Sequence, residues 1–333
     1  MARIALDAMG GDHAPQAPIA AALLAAAELG AEHTLQLVGQ ESVIRDELAK
    51  QVAGASPLVQ ELAARFEVVD APDVILMTDK PSVAIRGKPN SSMAVGLKLQ
   101  AAGHSDAFVS AGNTGAQMAA SVFILRLHEG LQRPAIGTVF PTAKQPVVVL
   151  DSGANVDCSA KELVNFAQLG HVYAKDILGR PTPAIGLLSV GEEAEKGNAA
   201  VKEAHHLLTQ TPLNFLGNVE GRDIPMGACD RGPVDVVVCD GFTGNVLLKF
   251  YEAVAPMLFG MLVKAGVTKE QIGGAMSMLD YAKYGGAPLL GVKGVSIICH
   301  GKSSPEAIKN GILAGLRAYE SGMSTHIGES LSV

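Results

Sequence analysis

Five short glycine-bearing turns hold the side chains most able to do chemistry. They are Met9-Gly-Gly-Asp-His13, Ala111-Gly-Asn-Thr-Gly115, Asp151-Ser-Gly-Ala-Asn155, Asp240-Gly-Phe-Thr-Gly-Asn245 and His300-Gly-Lys-Ser-Ser304. A turn of small residues at a helix start presents unsatisfied backbone N–H groups and the positive end of the helix dipole, so it can hold an anion. One such turn is weak evidence. Its repetition with different side chains predicts that several of these turns converge on one anionic ligand.

The elements that must position the turns follow from hydrophobic periodicity. Short apolar runs predict strands at 3–6, 33–38, 66–69, 106–110, 134–140, 146–150, 183–190, 214–219, 234–239 and 295–299. Helical patterns fall at 18–29, 42–51, 116–127, 161–178, 199–209 and 305–321, with Thr114 as a plausible cap of the third. Strand-then-helix alternation implies a mostly parallel sheet covered on both faces, a three-layer α/β/α fold. Ligands of such sheets bind beyond the carboxyl ends of the strands, where the glycine turns lie. A chain of 333 residues exceeds what one core usually serves, so the single domain is expected to carry two lobes, about 1–150 and 151–333.

Two segments stand outside this alternation. Residues 79–90 carry Lys80, Arg86 and Lys88 before a helix start, either a solvated loop or a dock for an acidic partner. Residues 243–284 read as a helical hairpin, its first arm long and apolar with Pro256 inside. The hairpin tip includes Met257, Leu258, Phe259, Met261 and Leu262, which fits a dimer interface or contact with a membrane surface or acyl chain.

Composition excludes several classes. Trp is absent, aromatic residues are 4% and the net charge is −7, which argues against stacking on bases and nonspecific nucleic-acid binding. Cys158, Cys229, Cys239 and Cys299 are widely spaced with no CxxC pair, so free thiols are expected rather than a disulfide or zinc framework. The first residues enter a strand with no signal-peptide pattern, and a cytoplasmic setting is expected. No GxGxxG follows the first strand. Gly301-Lys302-Ser303 ends like a P-loop, but Ser296 stands where its first glycine is required. There is no HExxH and no GxSxG elbow. Asp7, Asp12 and His13 fit turn and capping roles better than a metal, so no metal or cofactor is expected.

Ala5-Leu-Asp-Ala-Met-Gly-Gly-Asp-His-Ala-Pro15, Ser110-Ala-Gly-Asn-Thr-Gly-Ala116, Asp151-Ser-Gly-Ala-Asn155, Cys239-Asp-Gly-Phe-Thr-Gly-Asn-Val246, Tyr284-Gly-Gly-Ala-Pro-Leu-Leu-Gly291 and His300-Gly-Lys-Ser-Ser304 resemble, in order, the signature segments of the bacterial PlsX-type phosphate acyltransferases. The resemblance spans nearly the whole chain. It implies transfer of a fatty acyl group from acyl carrier protein to inorganic phosphate, giving acyl phosphate for phospholipid synthesis. It further implies a fold like that of isocitrate and isopropylmalate dehydrogenases and a homodimer. Peripheral association with the inner face of the cell membrane is implied as well, with the product passing to a membrane glycerol-3-phosphate acyltransferase.

The residues suit that chemistry. Phosphate is already a nucleophile near neutral pH, so the protein must bind it, place it against a thioester carbonyl and stabilise the oxyanion. Lys196, in Glu195-Lys-Gly-Asn198, is the first candidate cation, with Lys302 second. Asn113, Asn155, Asn198 and Asn245 offer amides, and His13 or His300 could protonate the leaving thiolate or orient phosphate. The expected catalytic set is Lys196, His13, Asn198 and Asn245. The expected substrate-binding set is Gly10, Gly11, Asp12, Ser110, Gly112, Asn113, Thr114, Gly115, Asp151, Ser152, Gly153, Asn155, Asp240, Thr243, His300, Lys302 and Ser303. Lys80, Arg86 and Lys88 would dock the carrier protein. The alternatives are acyl transfer through Cys239, a dehydrogenase on the related fold, and a noncatalytic lipid-binding scaffold.

Overall fold

The computed structural model describes residues 1–268, 271 and 285–331. The chain forms two compact units, one of Met1–Glu129 with Ala282–Gly328, the other of Gly130–Tyr281 with Glu329–Val333. The expected lobes followed the chain linearly. In the structure the first unit takes in a distant segment, because Ser296–Ile298 pairs in parallel with Ala107–Ser110.

The sheet of the first unit runs Glu67–Asp70, Thr34–Gly39, Arg3–Asp7, Ala107–Ser110, Ser296–Ile298, Ala287–Leu290. Neighbours are parallel except the last pair. The central strands are buried apolar runs, as expected of a sheet covered on both faces. In the second unit the order is Thr138–Phe140, Val147–Leu150, Val236–Val238, Ile185–Leu188, Phe215–Val219, parallel except for the first pair. The α/β reading therefore holds in both units.

Side-chain caps fix where the helices begin. Asn113, not Thr114, caps Thr114–Ile124 by accepting from Ala116 N at 3.0 Å. Asn198 caps Ala199–Leu208, Asp240 caps Gly241–Lys264 and Ser304 caps Pro305–Glu320. Ser159 and Glu162 form a reciprocal capping box at the start of Ala160–Asp176. Asn198 and Ser304 close turns singled out in the sequence, Asp240 opens one, and Asn113 lies inside one.

The helix Gly241–Lys264 is the first arm of the expected hairpin. Most of the second arm, 269–284 apart from Gln271, lies outside the described residues. Leu247, Leu248 and Tyr251 pack against a core that includes Phe140, Val147, Val149 and Val237. The Tyr251 ring meets Phe140 edge-on at 4.8 Å. By length and composition alone this helix could cross a membrane, with mean hydropathy 1.7.

Close packing of helix on sheet depends on small residues. A Cβ at Gly170 would lie 2.5 Å from Val236 Cγ1 and 2.7 Å from Leu150 Cδ1. Gly170→Val should therefore destabilise the protein by about 1–3 kcal/mol through overpacking. Urea unfolding followed by circular dichroism would measure this, and an unchanged midpoint would show that the helix shifts freely.

Candidate functional site

In the first unit the parallel strands Arg3–Asp7, Ala107–Ser110 and Ser296–Ile298 end side by side, and their turns meet. Asp7 is buried beneath them. Its Oδ2 accepts from Ser110 Oγ at 2.7 Å and its Oδ1 from Met9 N at 3.1 Å. Ser110 Oγ in turn accepts from Gly112 N at 3.0 Å. Burial pushes the Asp7 carboxyl upward, while donors from Ser92, Ser110, Met9 and Gly10 pull against that rise. Gly10 is required here, because a Cβ would come within 2.6 Å of Asp7 Oδ2 and 2.8 Å of Ser110 Oγ. Gly11 has φ +109°, and the next residue, Asp12, donates its N–H to Gly301 O at 2.8 Å. The first and last turns are thereby tied together.

Around this buried frame, Asp12, His13, Thr114, His300 and Lys302 are exposed. His300 Nδ1 accepts from Lys302 N at 3.1 Å, and His300 O from Ser303 N at 2.8 Å. Nε2 is the remaining nitrogen of this exposed ring. The cluster combines Gly-rich backbone, two imidazoles and an ammonium, a set able to bind an anion.

Asn113 does a different job from an open amide. Its Oδ1 caps the helix, and its Nδ2 lies 3.1 Å from both Met77 O and Asp79 O and 3.4 Å from Leu76 O. It therefore straps the 76–79 loop beside the turns. Ser110, likewise, is wholly buried support. Lys88 donates to Asp79 Oδ2 at 2.5 Å and to Val74 O at 2.8 Å, and the same ammonium holds the Asp79 carboxyl below its ordinary range. Lys80 and Arg86 stay exposed.

In the second unit Asp151 follows Val147–Leu150 and is fully buried. Its Oδ1 accepts from Ile136 N at 2.9 Å and Ala154 N at 3.1 Å. Its Oδ2 accepts from Asn155 N at 2.6 Å and Asn155 Nδ2 at 2.9 Å. Burial raises this carboxyl too, against the same donors. Ser152 Oγ donates to Val149 O, and Asn155 Nδ2 also reaches Pro134 O at 2.8 Å. The turn Asp151–Asn155 is thus organised around its own carboxylate. Only Gly153, at φ +130°, stands exposed, and a Cβ there would lie 3.6 Å from Asn245 Cβ.

Asn155 O accepts from Gly241 N at 2.7 Å, which anchors the start of Gly241–Lys264. There a cleft of about 720 Å³, including solvent at its mouth, is lined by polar Asp157, Cys158, Asn198, Asp240 and Thr243 and by apolar Val156, Leu163, Ala200, Val201 and Phe242. Asp240 is engaged with Thr243, accepting from its N–H at 2.8 Å and from its hydroxyl at 2.9 Å. Lys196 is exposed and does not line this cleft. Its loop is held by Asn218 Nδ2 donating to Glu193 O at 2.7 Å and by Glu192 pairing with Arg222 and Arg231.

Sequence reasoning missed Val156, Cys158, Leu163, Val201 and Phe242 as neighbours of the polar turn residues. Their closeness to Asn155, Asn198 and Asp240 in the chain was the available signal. Cys239 is buried, and burial, followed by the charges of Asp240 and Asp151, pushes its thiol well above the ordinary range. Burial likewise raises the Cys158 thiol to about 12. Neither is poised as a thiolate near neutral pH. Among the described residues no group of His, Cys, Asp and Glu is arranged to hold a metal.

Comparison with known proteins gives this geometry a context. Residues 2–326 match the family described as "Fatty acid synthesis protein". The "Phosphate acyltransferase" of Desulforamulus reducens is 48% identical over 341 residues, covering 99% of this chain and 98% of the relative. That of Pelotomaculum thermopropionicum is 45% identical, covering 99% and 95%. Among solved structures, EutD phosphotransacetylase from Staphylococcus aureus superposes with a TM-score of 0.63 at 16% identity, covering 96% of this chain and 94% of that one. The 4-hydroxythreonine-4-phosphate dehydrogenase of Klebsiella pneumoniae superposes at 0.57 and 16% identity, covering 96% and 98%. These two establish the fold, shared by phosphotransacylases and a dehydrogenase, and the sequence relatives establish the kinship. The chain belongs to the phosphate acyltransferase family of fatty acid and phospholipid synthesis.

Proposed function

We propose that this acyltransferase takes its fatty acyl group from the thioester of acyl carrier protein, and that bound inorganic phosphate attacks the carbonyl directly. The observation that carries the reading is the convergence of Gly10–His13, Gly112–Gly115 and His300–Ser303 over the buried Asp7 frame. Backbone donors there are fixed in advance, and Lys302, His13 and His300 supply the charge and proton a phosphate dianion needs. Attack by a ready-made oxyanion requires no enzyme nucleophile. The raised pKa of Cys239 and Cys158 supports this route over an acyl-cysteine.

In the second unit the cleft beside Asn198 and Asp240, whose lining mixes polar caps with aliphatic side chains, is a candidate seat for part of the acyl donor. Lys196 and Asn245 are the candidates to stabilise the oxyanion, and His13 or His300 to protonate the departing thiolate. Asp151, Ser152, Asn155, Ser110 and Asn113 support the reaction by holding turns, since their polar atoms are engaged within the protein. Lys80 and Arg86 form the candidate dock for the acidic carrier protein. The exposed Met257, Leu258, Met261 and Leu262 are proposed to rest on the inner face of the cell membrane, so that acyl phosphate is released toward a membrane glycerol-3-phosphate acyltransferase. Homodimer formation through the rest of the hairpin belongs to the same reading.

Incubation with palmitoyl-acyl carrier protein and phosphate should give acyl phosphate, trapped as hydroxamate, and free carrier thiol in equal amounts. Thiol release without phosphate would instead indicate hydrolysis or an acyl-enzyme. Lys302→Ala should raise the KM for phosphate about tenfold or more, the scale of a lost charge-assisted contact. A KM within twofold of the parent would remove Lys302 from the phosphate site.

Lys80→Glu with Arg86→Glu should raise the KM for the carrier-bound donor and spare a short soluble thioester. An unchanged carrier KM would sink the dock. Met257→Asp with Leu258→Asp should abolish cosedimentation with anionic lipid vesicles, and retained sedimentation would overturn the membrane contact.

A further inference from the structure

Asn218 is a wholly buried amide late in the strand Phe215–Val219, and half of it is unused. Its Nδ2 donates to Glu193 O at 2.7 Å, while its Oδ1 has no partner among the described residues. A buried acceptor left unpaired costs stability, so an aliphatic side chain of similar size would serve the core better. The backbone nevertheless departs from regular pairing to aim this side chain. Ile185 pairs with Phe215 and Gly186 with Gly217, so Leu216 is an extra residue, and Gly217 takes φ +95°. Such a bulge shifts the later register by one, which changes the face each following side chain meets. Asn218 therefore stands opposite Leu187 instead of Leu188, on the sheet face shared by Leu187 and Ser189.

What the amide reaches from there is the turn that carries Lys196. Glu193 O accepts from Asn218 Nδ2 and also from Lys196 N at 3.0 Å. The strand thus grips the same oxygen that closes the turn at Lys196. The lysine stem lies against its own loop, since a Cβ on Gly191 would be 3.0 Å from Lys196 Cγ and 3.5 Å from its Cδ. Gly197, at φ +100°, then leads into the helix cap Asn198. Glu192 adds ion pairs with the exposed Arg222 at 3.3 Å and with Arg231 at 3.4 Å. Water and salt weaken surface pairs of that kind, whereas the Asn218 amide is shielded from both.

We propose that Asn218 is a positioning residue for Lys196, holding its turn so that the ammonium is already in place when the oxyanion forms. A cation lowers the barrier most when no reorganisation is needed at the moment of reaction, and a long flexible side chain needs a fixed root for that. The inference rests on the role given to Lys196 above and deepens it.

Asn218→Leu tests it, because it removes the amide and the unpaired oxygen together at similar volume. The urea midpoint should hold or rise. Amide hydrogen exchange in residues 193–197 should quicken about tenfold, with the rest of the unit unchanged. The kcat should fall about tenfold or more with the KM for phosphate within twofold, the mark of an interaction made in the transition state. In a Lys196→Ala background the same substitution should change kcat less than twofold, because its effect passes through the lysine. Unchanged exchange at 193–197, or an undiminished loss of kcat in the Lys196→Ala background, would overturn the proposal. A midpoint that fell along with kcat would do the same, by giving Asn218 a purely structural role. If Lys196→Ala itself kept the parental kcat, the oxyanion role of Lys196 would fail. The exchange at 193–197 would then decide by itself whether Asn218 holds the turn.

Discussion

Each unit depends on a carboxylate placed out of water at the end of a strand. Asp7 and Asp151 both follow apolar β runs, and both bend the next turn back toward themselves through hydrogen bonds. An unpartnered carboxylate at such depth would be very costly. The surrounding N–H and hydroxyl donors offset that cost only in one arrangement of the turn, so the geometry becomes narrowly defined. Glycine follows from the same constraint. Gly10 and Gly241 pass so near the carboxylates that a Cβ would lie 2.6 Å from Asp7 Oδ2 and 2.7 Å from Asp151 Oδ2.

This frame separates residues that build from residues that can react. Ser110, Asn113, Ser152 and Asn155 have chemistry suited to a ligand, yet their polar atoms are engaged with the protein. The exposed His13, His300 and Lys302 lie on turns tied together by backbone hydrogen bonds. Prior positioning of donors, rather than an activated nucleophile, is what an enzyme needs when the attacking group is phosphate. The cleft of the second unit likewise sets the helix caps Asn198 and Asp240 beside apolar residues such as Val201 and Phe242.

The long helix reconciles two demands. One side completes a core through Leu247, Leu248 and Tyr251, and the other leaves an apolar stripe in solvent. Water penalises such a stripe, so an apolar surface over several turns calls for a partner.

The sequence by itself determined most element types, the parallel α/β class, the glycine turns and the family, but it read as a loop the segment in which Pro81–Gly87 forms a helix. Strand and helix periodicities and cap residues are local, and the family motifs lie in continuous segments such as Ala5–Pro15 and Asp151–Asn155. Cap identity was nearly legible, off by one residue at Thr114, because Asn and Thr both cap well. Tertiary structure decided what each polar side chain is free to do. Asn113 binds carbonyls some 34 to 37 positions away, and Ser110 meets Asp7 across 103. Lys88 is tied down by Asp79 and Val74, and the cleft gathers 156–163, 198–201 and 240–243. Those pairings arise from strand order, and the division into units follows from the return of 296–298 to the first sheet. A one-dimensional pattern records which groups can hydrogen-bond. Only the folded chain fixes which already do, and so which remain for a substrate.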